Sequence, residues 1–500
     1  MHTRSLSALL AAAALTSGAL AQGRSAESIW RSNCISCHSQ TGRGGGAGTT
    51  TLLTDELYNP AVGIETDRRF FETIKKGLPD KGMPTFGETL SDAEIWALVV
   101  HVRELQRDDW RKRHGSTKPD DSGVVKTQHH DYRIERVIEK DLEVPWSVDF
   151  LPDGRMLVTN RTGAVMIHST GKPGGTLGKA IAGTPKVRSR GQGGMMDAAV
   201  HPDYAANKWV YLSFSDPDDS KGMTKLVRGH IKEDSDTATW TDEETLFEAK
   251  HDHYYNSDIH FGCRIVFDPP AYAAAQPPAG SPRFMYFAIG ERGLMQWAPD
   301  LTRPNGKIYR LNDDGKVPAD NPFVSEPADA YPQIWSYGHR NPQGLVFDLD
   351  GKLWDTEHGP RGGDELNLIE RGKNYGWPTV SFGINYSDAP FRTPWPETGS
   401  DLVMPVYRWL PSIGACGLDV CRPGAAGEAF PKWKGDLLAG GLSGANVDRI
   451  RIKDGKVAER EEILHGMGRV RDVVTGPDGS VYVVLNDPDH VIRLINADAK

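Results

Sequence analysis

The sequence predicts an all-β propeller of six blades, preceded by a small all-α domain. The chain has 500 residues, more than a single hydrophobic core normally organises. Its 54 glycines and 33 prolines are typical of a β protein with many turns. A strand followed by a tight turn recurs six times after residue 132, whereas residues 91–105 have the apolar spacing of a helix.

We divide the chain into a signal peptide (1–21), a helical domain (22–108), a polar linker (109–130) and the propeller (131–500). Arg4 precedes an apolar run that ends in the small-residue pattern 19–21, as in secretory signal peptides. This run is shorter than the roughly 20 apolar residues that a membrane span needs. We therefore expect a periplasmic or secreted protein with no membrane span.

The chain is acidic, with 67 Asp and Glu against 58 Lys and Arg and a formal net charge of −9. Such a surface repels polyanions, so nucleic acid is not expected as a partner. A basic electron acceptor remains possible.

The helical domain contains a haem-attachment motif, Cys-x-x-Cys-His. In this pattern the thiols of Cys34 and Cys37 add to the haem vinyl groups, and His38 becomes an axial ligand of the iron. A redox dithiol or half of a zinc site is the alternative. No second cysteine pair with zinc spacing follows, however, and the adjacent His favours haem. The sequence thus predicts a c-type cytochrome domain with covalent haem c.

The second axial ligand of the iron is predicted to be Met83, in the loop Gly82-Met83-Pro84. His101 is the rival, within a helix that opens with a capping box from Ser91 to Glu94. Because His101 lies off the apolar face of that helix, we expect it to be solvated. His/Met ligation raises the haem potential, which suits a domain that receives electrons.

The large domain repeats one phrase, an apolar strand followed by a turn such as Pro-Asp-Gly. A β-sandwich explains the strands but not this recurrence, whereas a propeller has one such unit per blade. In a propeller, loops on one face surround the central channel, so residues distant in sequence can form one site. The repeats begin near residues 148, 200, 265, 345, 430 and 476.

The three remaining cysteines suggest structural roles. Cys416 and Cys421 enclose a four-residue segment, which we predict to be closed by a disulfide in an oxidising compartment. Cys263 is then left over, and we expect it to be a buried, inert thiol.

Several phrases of the large domain resemble the soluble pyrroloquinoline-quinone (PQQ) dependent aldose dehydrogenases, also called glucose/sorbosone dehydrogenases. The resemblance covers about residues 132–497 and implies a six-bladed propeller, in agreement with the repeats. The phrases are 190–194 (RGQGG), 260–264 (HFGCR), 338–344 (GHRNPQG), 357–367 (EHGPRGGDELN), 374–378 (NYGWP) and 469–473 (RVRDV).

The resemblance implies PQQ and calcium as cofactors. PQQ carries three carboxylates and an electrophilic quinone, so its pocket needs fixed cations and hydrogen-bond donors. Taken alone, the Arg469 and Arg471 pair would be a solvated strand edge with both side chains on one side. The PQQ-binding residues implied by the family are Gln192, Arg340, Asn341, Ser443, Arg469 and Arg471.

The implied calcium ligands at PQQ are the carbonyls of Gly359 and Pro360, which without the resemblance would indicate a turn and nothing more. Glu365 and Tyr375 resemble residues of a possible second calcium site. Ser443 departs from the family, because its best-known members have a PQQ-binding Lys at this position.

The resemblance assigns catalysis to His260, with Glu291 and Arg340 beside it. Oxidation of a sugar's anomeric hydroxyl requires a base for the O–H proton, and His260 matches the family's base. Glu291 stands where the family commonly has Asp. His251, His253 and His260 have an alternative interpretation as a metal-binding cluster.

These features together predict a quinohaemoprotein that oxidises an aldose at C1 and passes electrons to its own haem. A downstream acceptor would be a cytochrome, a copper protein or an oxidase. The alternatives are a non-sugar alcohol or sorbosone-type aldehyde as substrate, and a non-enzymatic propeller that binds carbohydrate or protein. Eight-bladed quinoprotein alcohol dehydrogenases are more remote, since they typically have adjacent cysteines, which this chain lacks.

Overall fold

The structure is a computed structural model. It describes residues 24–45, 52, 64–120, 122–235, 237–273, 276–278, 281–395, 400–424, 427 and 429–497. The predicted signal peptide lies outside the described residues.

The N-terminal domain is helical, as predicted. The last helix begins with the predicted capping box, because Ser91 Oγ accepts from Glu94 N while the Glu94 carboxylate accepts from Ser91 N. No helix in the described part of the chain is long and apolar enough to cross a membrane. The helices are α1 (Ala26–Asn33), α2 (Ile35–His38), α3 (Ile64–Lys76) and α4 (Asp92–His114), with a 3₁₀ turn at Pro79–Lys81.

Helix α4 extends into the segment that the sequence suggested as a linker. It runs to His114 and ends at Gly115, whose φ of 76° is left-handed. Residues 109–114 are polar, but they include neither Gly nor Pro, so nothing in them interrupts a helix. Further on, Val124–Val125 forms a short strand. The domain boundaries themselves remain a prediction.

After the helical domain, the described residues form 24 strands in six sheets. The first strands are β1 (Val124–Val125), β2 (Tyr132–Ile138), β3 (Pro145–Phe150), β4 (Met156–Asn160), β5 (Val165–His168), β6 (Met195–Val200), β7 (Trp209–Asp218), β8 (Lys221–Glu233) and β9 (Ala238–Phe247). They are followed by β10 (Ile265–Asp268), β11 (Phe284–Ile289), β12 (Lys307–Asn312), β13 (Ile334–Tyr337), β14 (Pro342–Phe347), β15 (Leu353–Glu357), β16 (Asp364–Leu368) and β17 (Tyr407–Trp409). The last are β18 (Ala415–Val420), β19 (Leu437–Gly441), β20 (Asn446–Lys453), β21 (Lys456–His465), β22 (Arg469–Thr475), β23 (Val481–Asn486) and β24 (His490–Asn496). Short helices at Tyr204–Asn207 (α5), His251–His253, Met295–Trp297 and Pro431–Trp433 connect some of them.

The sheets are the six blades of a propeller. Each is antiparallel, and the inner strands β3, β6, β10, β14, β18 and β22 contact one another in a closed ring. Strands from both ends of the propeller share the last blade, because β2 pairs with β24 in a sheet of order β1-β2-β24-β23-β22. The predicted fold class is therefore confirmed.

The helical domain is docked on the propeller through a shared apolar core. Trp96 is fully buried in this core, and its Nε1 donates to Phe382 O over 2.9 Å. Phe382 and Ile384 of the propeller belong to the same buried cluster as α1 and α4. At one edge of this contact, Asp67 accepts from Arg103 Nε at 2.6 Å and also pairs with Arg408. Apolar burial thus holds the two units together.

The expectation of a solvated His101 is wrong. The ring lies 5.3 Å from Trp30, and its Nε2 is buried with no hydrogen-bond partner among the described residues. Burial lowers the pKa of His101. The prediction failed because the polar side of α4 does not face water but packs against α1 and the propeller.

The predicted disulfide is also wrong. Cys416 lies near Gln343 and Arg471, whereas Cys421 is buried in a different core together with Val125 and Tyr132. Both are free thiols. The segment between them is strand, in which five residues span about 16 Å, too far for a disulfide. Cys263 is buried as predicted and accepts from Trp146 Nε1 at 3.2 Å; burial raises its thiol pKa to about 12.

Candidate active site

A cavity of about 390 Å³ opens where the inner strands begin. Because Trp146, Gln343 and Arg469 all lie at the starts of inner strands, the cavity is at one mouth of the central channel. Residues predicted from the sequence to bind PQQ or calcium that line it are Gln192, Asn341, Gly359, Pro360, Ser443, Arg469 and Arg471.

The two arginines of β22 both line this cavity. A β-bulge between Val470 and Asp472 disturbs the simple alternation assumed from the sequence. The Arg471 guanidinium stacks 4.1 Å from the Trp146 ring centre, and its Nε donates to Asn486 Oδ1 at 3.3 Å. This support presents Arg471 as a fixed cation at the cavity wall.

Two amide side chains connect the cavity with the segment that carries His260. Gln192 Oε1 accepts from His260 N at 2.7 Å, and Asn341 Oδ1 accepts from Gly262 N at 3.0 Å. The amide oxygens are thus occupied within the protein. What each side chain offers a ligand is its NH2 group, a suitable donor to a carboxylate or quinone oxygen.

Gly359 lies where the backbone folds tightly on itself. A Cβ at this position would meet Gly363 O at 1.8 Å, so only glycine fits. The buried Asp364 carboxylate holds the loop, since it accepts from Gly359 N at 3.1 Å and from Ala415 N at 2.8 Å. Gly359 and Pro360 are therefore held in a defined position at the cavity wall.

A second, much smaller space of about 10 Å³ lies beside the first, close to the volume that one water or ion needs. Glu357, Glu365 and Tyr375 line it. The Tyr375 hydroxyl is occupied within the protein, because it donates to Leu368 O at 2.6 Å and accepts from Glu370 N at 2.8 Å, so the main-chain carbonyl of Tyr375 is the oxygen better suited to a cation. Burial raises the pKa of Glu357 to about 8 and raises that of Glu365 as well. Such oxygen-rich, buried surroundings suit calcium.

His260 and Glu291 form a buried pair, with His260 Nδ1 hydrogen-bonded to Glu291 Oε1. His260 has a left-handed φ of 56°, and Gly290 leaves room for its carbonyl. Burial, with Arg340 and Arg292 nearby, lowers the pKa of His260 well below its usual value. Burial also raises the pKa of Glu291 to about 7. A neutral imidazole held by a carboxylate is the arrangement of a general base.

The predicted alternative, a cluster of three histidines, does not form. His253 Nδ1 bonds to Tyr331 OH at 2.7 Å, while His251 lies on the surface near Asp218. Over the described residues, the one group with clustered metal-ligating atoms is His339, Asp355 and Glu357, next to the small space.

Arg340 joins the His260–Glu291 pair to the cavity. Its main-chain carbonyl accepts from Glu291 N at 2.8 Å, and its guanidinium donates to His358 O at 2.9 Å. His358 itself lines the cavity, and its buried Nε2 has no hydrogen-bond partner in the described part of the chain. The arrangement leaves a polar atom at the wall that a ligand can satisfy.

Sequence reasoning assigned no role here to Trp146 and His358, which line the cavity, or to Cys416, which lies beside Arg471. Trp146 supports Arg471, and Cys416 Sγ lies 3.7 Å from Arg471 Nη1. His358 belongs to segment 357–367, one of the segments that resemble the family, and this position was the one indication of its role in the sequence. Trp146 and Cys416 carried no such signal, because only the fold brings them to Arg471.

The residues present fit PQQ and calcium. Two arginines, two amides and the orphaned His358 Nε2 surround a cavity large enough for a small ligand, and they match a tricarboxylate. The residues predicted to bind haem are in the other domain. Cys34 and Cys37 lie at the α1–α2 junction, and the His38 ring stacks 6.1 Å from Trp30. Met83 follows in the loop before α4. None of these four lines the cavity.

Comparison with known proteins fits this geometry. Residues 142–494 match the family described as Glucose / Sorbosone dehydrogenase. The chain belongs to this family. Residues 21–102 match the family described as Cytochrome C oxidase, cbb3-type, subunit III, so a cytochrome c domain precedes the dehydrogenase domain.

Several members of the glucose/sorbosone dehydrogenase family are similar over most of their length. The aldose sugar dehydrogenase YliI of Escherichia coli is 37% identical over 359 residues, which are 70% of this chain and 89% of that protein. The crystal structure of the soluble aldose sugar dehydrogenase from Escherichia coli, in its apo form, has a TM-score of 0.63 at 34% identity and covers 73% of this chain and 99% of its own. The PQQ-bound aldose sugar dehydrogenase of Streptomyces coelicolor has a TM-score of 0.56 at 25% identity, over 73% of this chain and 98% of its own.

Proposed function

We propose that this protein is an exported quinohaemoprotein that oxidises an aldose at C1, with PQQ as hydride acceptor and its own c-type haem as the next electron acceptor. The observation that carries the proposal is the buried His260–Glu291 pair beside a cavity whose lining suits a tricarboxylate. The family supports the reaction class, and the cytochrome domain supports the path of the electrons.

In this proposal His260 takes the proton of the anomeric hydroxyl. An ionised Glu291 accepts from Nδ1–H, which leaves the lone pair on Nε2 as the basic atom. Because the pKa of His260 is depressed, the ring is neutral and the Nε2 lone pair is not already protonated. Arg340 fixes Glu291 through the main chain and keeps positive charge beside the base.

The proposed cofactor contacts use the remaining residues of the cavity. Arg469 and Arg471 would pair with PQQ carboxylates, and the NH2 groups of Gln192 and Asn341 would donate to its oxygens. Ser443 would contribute a hydrogen bond where relatives have a cation. The Gly359 and Pro360 carbonyls would bind calcium at PQQ, and Glu365 with Tyr375 a second calcium.

In the helical domain, Cys34 and Cys37 would bind the haem, with His38 and Met83 as axial ligands. The proposed domain limits are those given above. Export would place the protein in the periplasm or outside the cell, where a cytochrome, a copper protein or an oxidase would take the electrons onward.

The test uses the full-length protein loaded with haem, PQQ and calcium, a panel of aldoses, and a small dye as electron acceptor. We expect His260→Ala to retain PQQ binding by calorimetry but to lower kcat by about 10²- to 10⁴-fold, the usual contribution of a general base. His253→Ala, which removes a histidine bonded to Tyr331, is the matched control. Turnover by His260→Ala at the wild-type rate would contradict the assignment, and no turnover of any aldose by the wild type would contradict the function.

A further inference from the structure

One wall of the candidate active site comes from the cytochrome domain. Glu104 and Arg107 of α4 line the same cavity as Arg469 and Arg471 of the propeller. Helix α4 lies outside residues 142–494, the part of the chain that matches the dehydrogenase family. The cytochrome domain thus covers part of the mouth through which a substrate would enter.

Helix α4 is held firmly at this place. Glu104 receives two hydrogen bonds from Arg361, at 2.7 and 2.6 Å, and Arg111 donates two to Glu462, at 3.2 and 2.8 Å. Such double contacts between guanidinium and carboxylate groups fix both distance and orientation. Because residues three and four apart share a helix face, Arg107 lies on the propeller-facing side between these two anchors.

The charges around Arg107 leave it available to a ligand. The cavity's other arginine on this side, Arg361, is neutralised by Glu104 and by Asp388 at 3.2 Å. Arg107 pairs with its neighbour Asp108, whose side chain is 55% exposed. A pair of this kind contributes little and exchanges easily with water or with a ligand. Its guanidinium can therefore present several N–H donors to the cavity.

We propose that Arg107 is a specificity-determining residue that donates hydrogen bonds to the sugar hydroxyls farthest from C1. This proposal rests on the proposed function of the cavity. Arg469 and Arg471, which would bind the cofactor carboxylates, come from strand β22 of the propeller, whereas Arg107 comes from helix α4. In this proposal the cytochrome domain serves both electron transfer and the recognition of the substrate.

The test compares Arg107→Ala and Arg107→Lys in the full-length holoprotein, with Lys112→Ala as the matched control. Lys112 is exposed on the same helix and does not line the cavity. Initial rates with a dye are measured for the best hexose and for deoxy analogues that each lack one hydroxyl remote from C1. Calorimetry measures PQQ affinity, and thermal unfolding checks the fold.

We expect Arg107→Ala to raise KM for the hexose about tenfold, as for loss of one hydrogen bond to a charged group, with kcat within about twofold. For the analogue that lacks the contacted hydroxyl, wild type and variant should have the same KM. Arg107→Lys should restore part of the affinity, and Lys112→Ala should behave as the wild type.

An unchanged KM in both Arg107 variants, with an active wild type, would overturn this inference and leave the proposed function intact. A loss of PQQ affinity that matches the rise in KM would also overturn it, because Arg107 would then serve the cofactor. A wild type that oxidises no aldose would instead refute the proposed function, and the inference with it.

Discussion

At the scale of single residues, the pair of His260 and Glu291 decides which ring nitrogen is basic. If Glu291 is ionised it accepts from Nδ1–H, and Nε2 is free to take a proton. If Glu291 is protonated it donates to Nδ1, and the ring proton moves to Nε2, where it blocks the base. Since burial raises the pKa of Glu291 to about 7, this change falls within the physiological range.

The first prediction concerns the dependence of activity on pH. Below pH 7 Glu291 gains its proton, so kcat/KM for the sugar should fall as pH decreases, with an apparent pKa near 7. Glu291→Gln cannot ionise, and it should lose this dependence together with about 10²-fold or more in kcat. Glu291→Asp keeps a carboxylate, so its kcat/KM should still fall as pH decreases. If kcat/KM of Glu291→Gln falls at low pH as it does in the wild type, another group is responsible for the titration.

The second prediction concerns Ser443, where the resemblance implies a PQQ-binding Lys in the best-known members of the family. Ser443→Lys adds a cation to a cavity that would hold three carboxylates, so PQQ affinity should rise by about tenfold. Calorimetry of the metal-loaded protein with PQQ measures this, with Ser412→Lys as a comparison at another serine of the same cavity. Equal or weaker PQQ binding by Ser443→Lys would mean that the carboxylates are already neutralised.

Most of the residues that the resemblance implied for PQQ and calcium do lie at one cavity, but the sequence did not indicate what surrounds them. The phrase containing His260 pointed to a base, and the cavity does collect Arg469, Arg471 and Ser443. The sequence carried no sign that Trp146 supports Arg471, because that contact joins strands more than 300 residues apart. The solvated His101 was an error of the same origin, since burial by another domain leaves no local pattern.

At the scale of elements, the ring of inner strands is joined by a buried ion triad. Arg264, just before β10, donates to Asp197 of β6 at 2.9 Å and to Asp472 of β22 at 3.0 Å. All three side chains are buried, and burial raises the pKa of Asp472 to about 7. The triad thus ties three blades together inside the channel.

The third prediction is that Arg264→Ala destabilises the protein by about 3–5 kcal/mol, because two carboxylates are left buried without their cation. Protonation of Asp197 and Asp472 relieves the repulsion between them, so the stability difference between Arg264→Ala and the wild type should become smaller as pH falls below 7. Thermal unfolding at several pH values measures the effect. Arg155→Ala removes pairs with the partly exposed Asp153 and Glu233 and should cost no more than about 1 kcal/mol. Equal losses in the two variants would contradict a role of the triad in closure.

Helices and strands were predictable where the local sequence has a clear repeat or a capping pattern. The six repeats gave the blade count, and the capping box gave the start of α4 at Asp92. The end of α4 was not predictable, since a polar helix on the surface and a polar linker have the same composition. The disulfide prediction was wrong because it rested on the short spacing of Cys416 and Cys421, whereas Ala415–Val420 is an extended inner strand that keeps the two thiols apart.

At the scale of the whole molecule, the two domains share a hydrophobic core, so more than a linker connects them. Trp96, Phe382 and the Arg361–Glu104 pair fix the cytochrome domain over the mouth of the channel. In the proposed function, electrons would pass from the cavity to a haem of the same molecule without diffusion between molecules, which would give that haem a high effective concentration as acceptor. Electron transfer within one molecule is therefore the central claim of the proposed function.

The most direct test mixes the PQQ- and calcium-loaded protein with an aldose under anaerobic conditions and follows haem absorbance by stopped flow. We predict first-order haem reduction with a rate constant that does not change when the protein is diluted about tenfold, as expected for a reaction within one molecule. His260→Ala should show no reduction on this timescale. Haem that stays oxidised while the same aldose reduces a dye, or a rate that scales with protein concentration, would contradict the account.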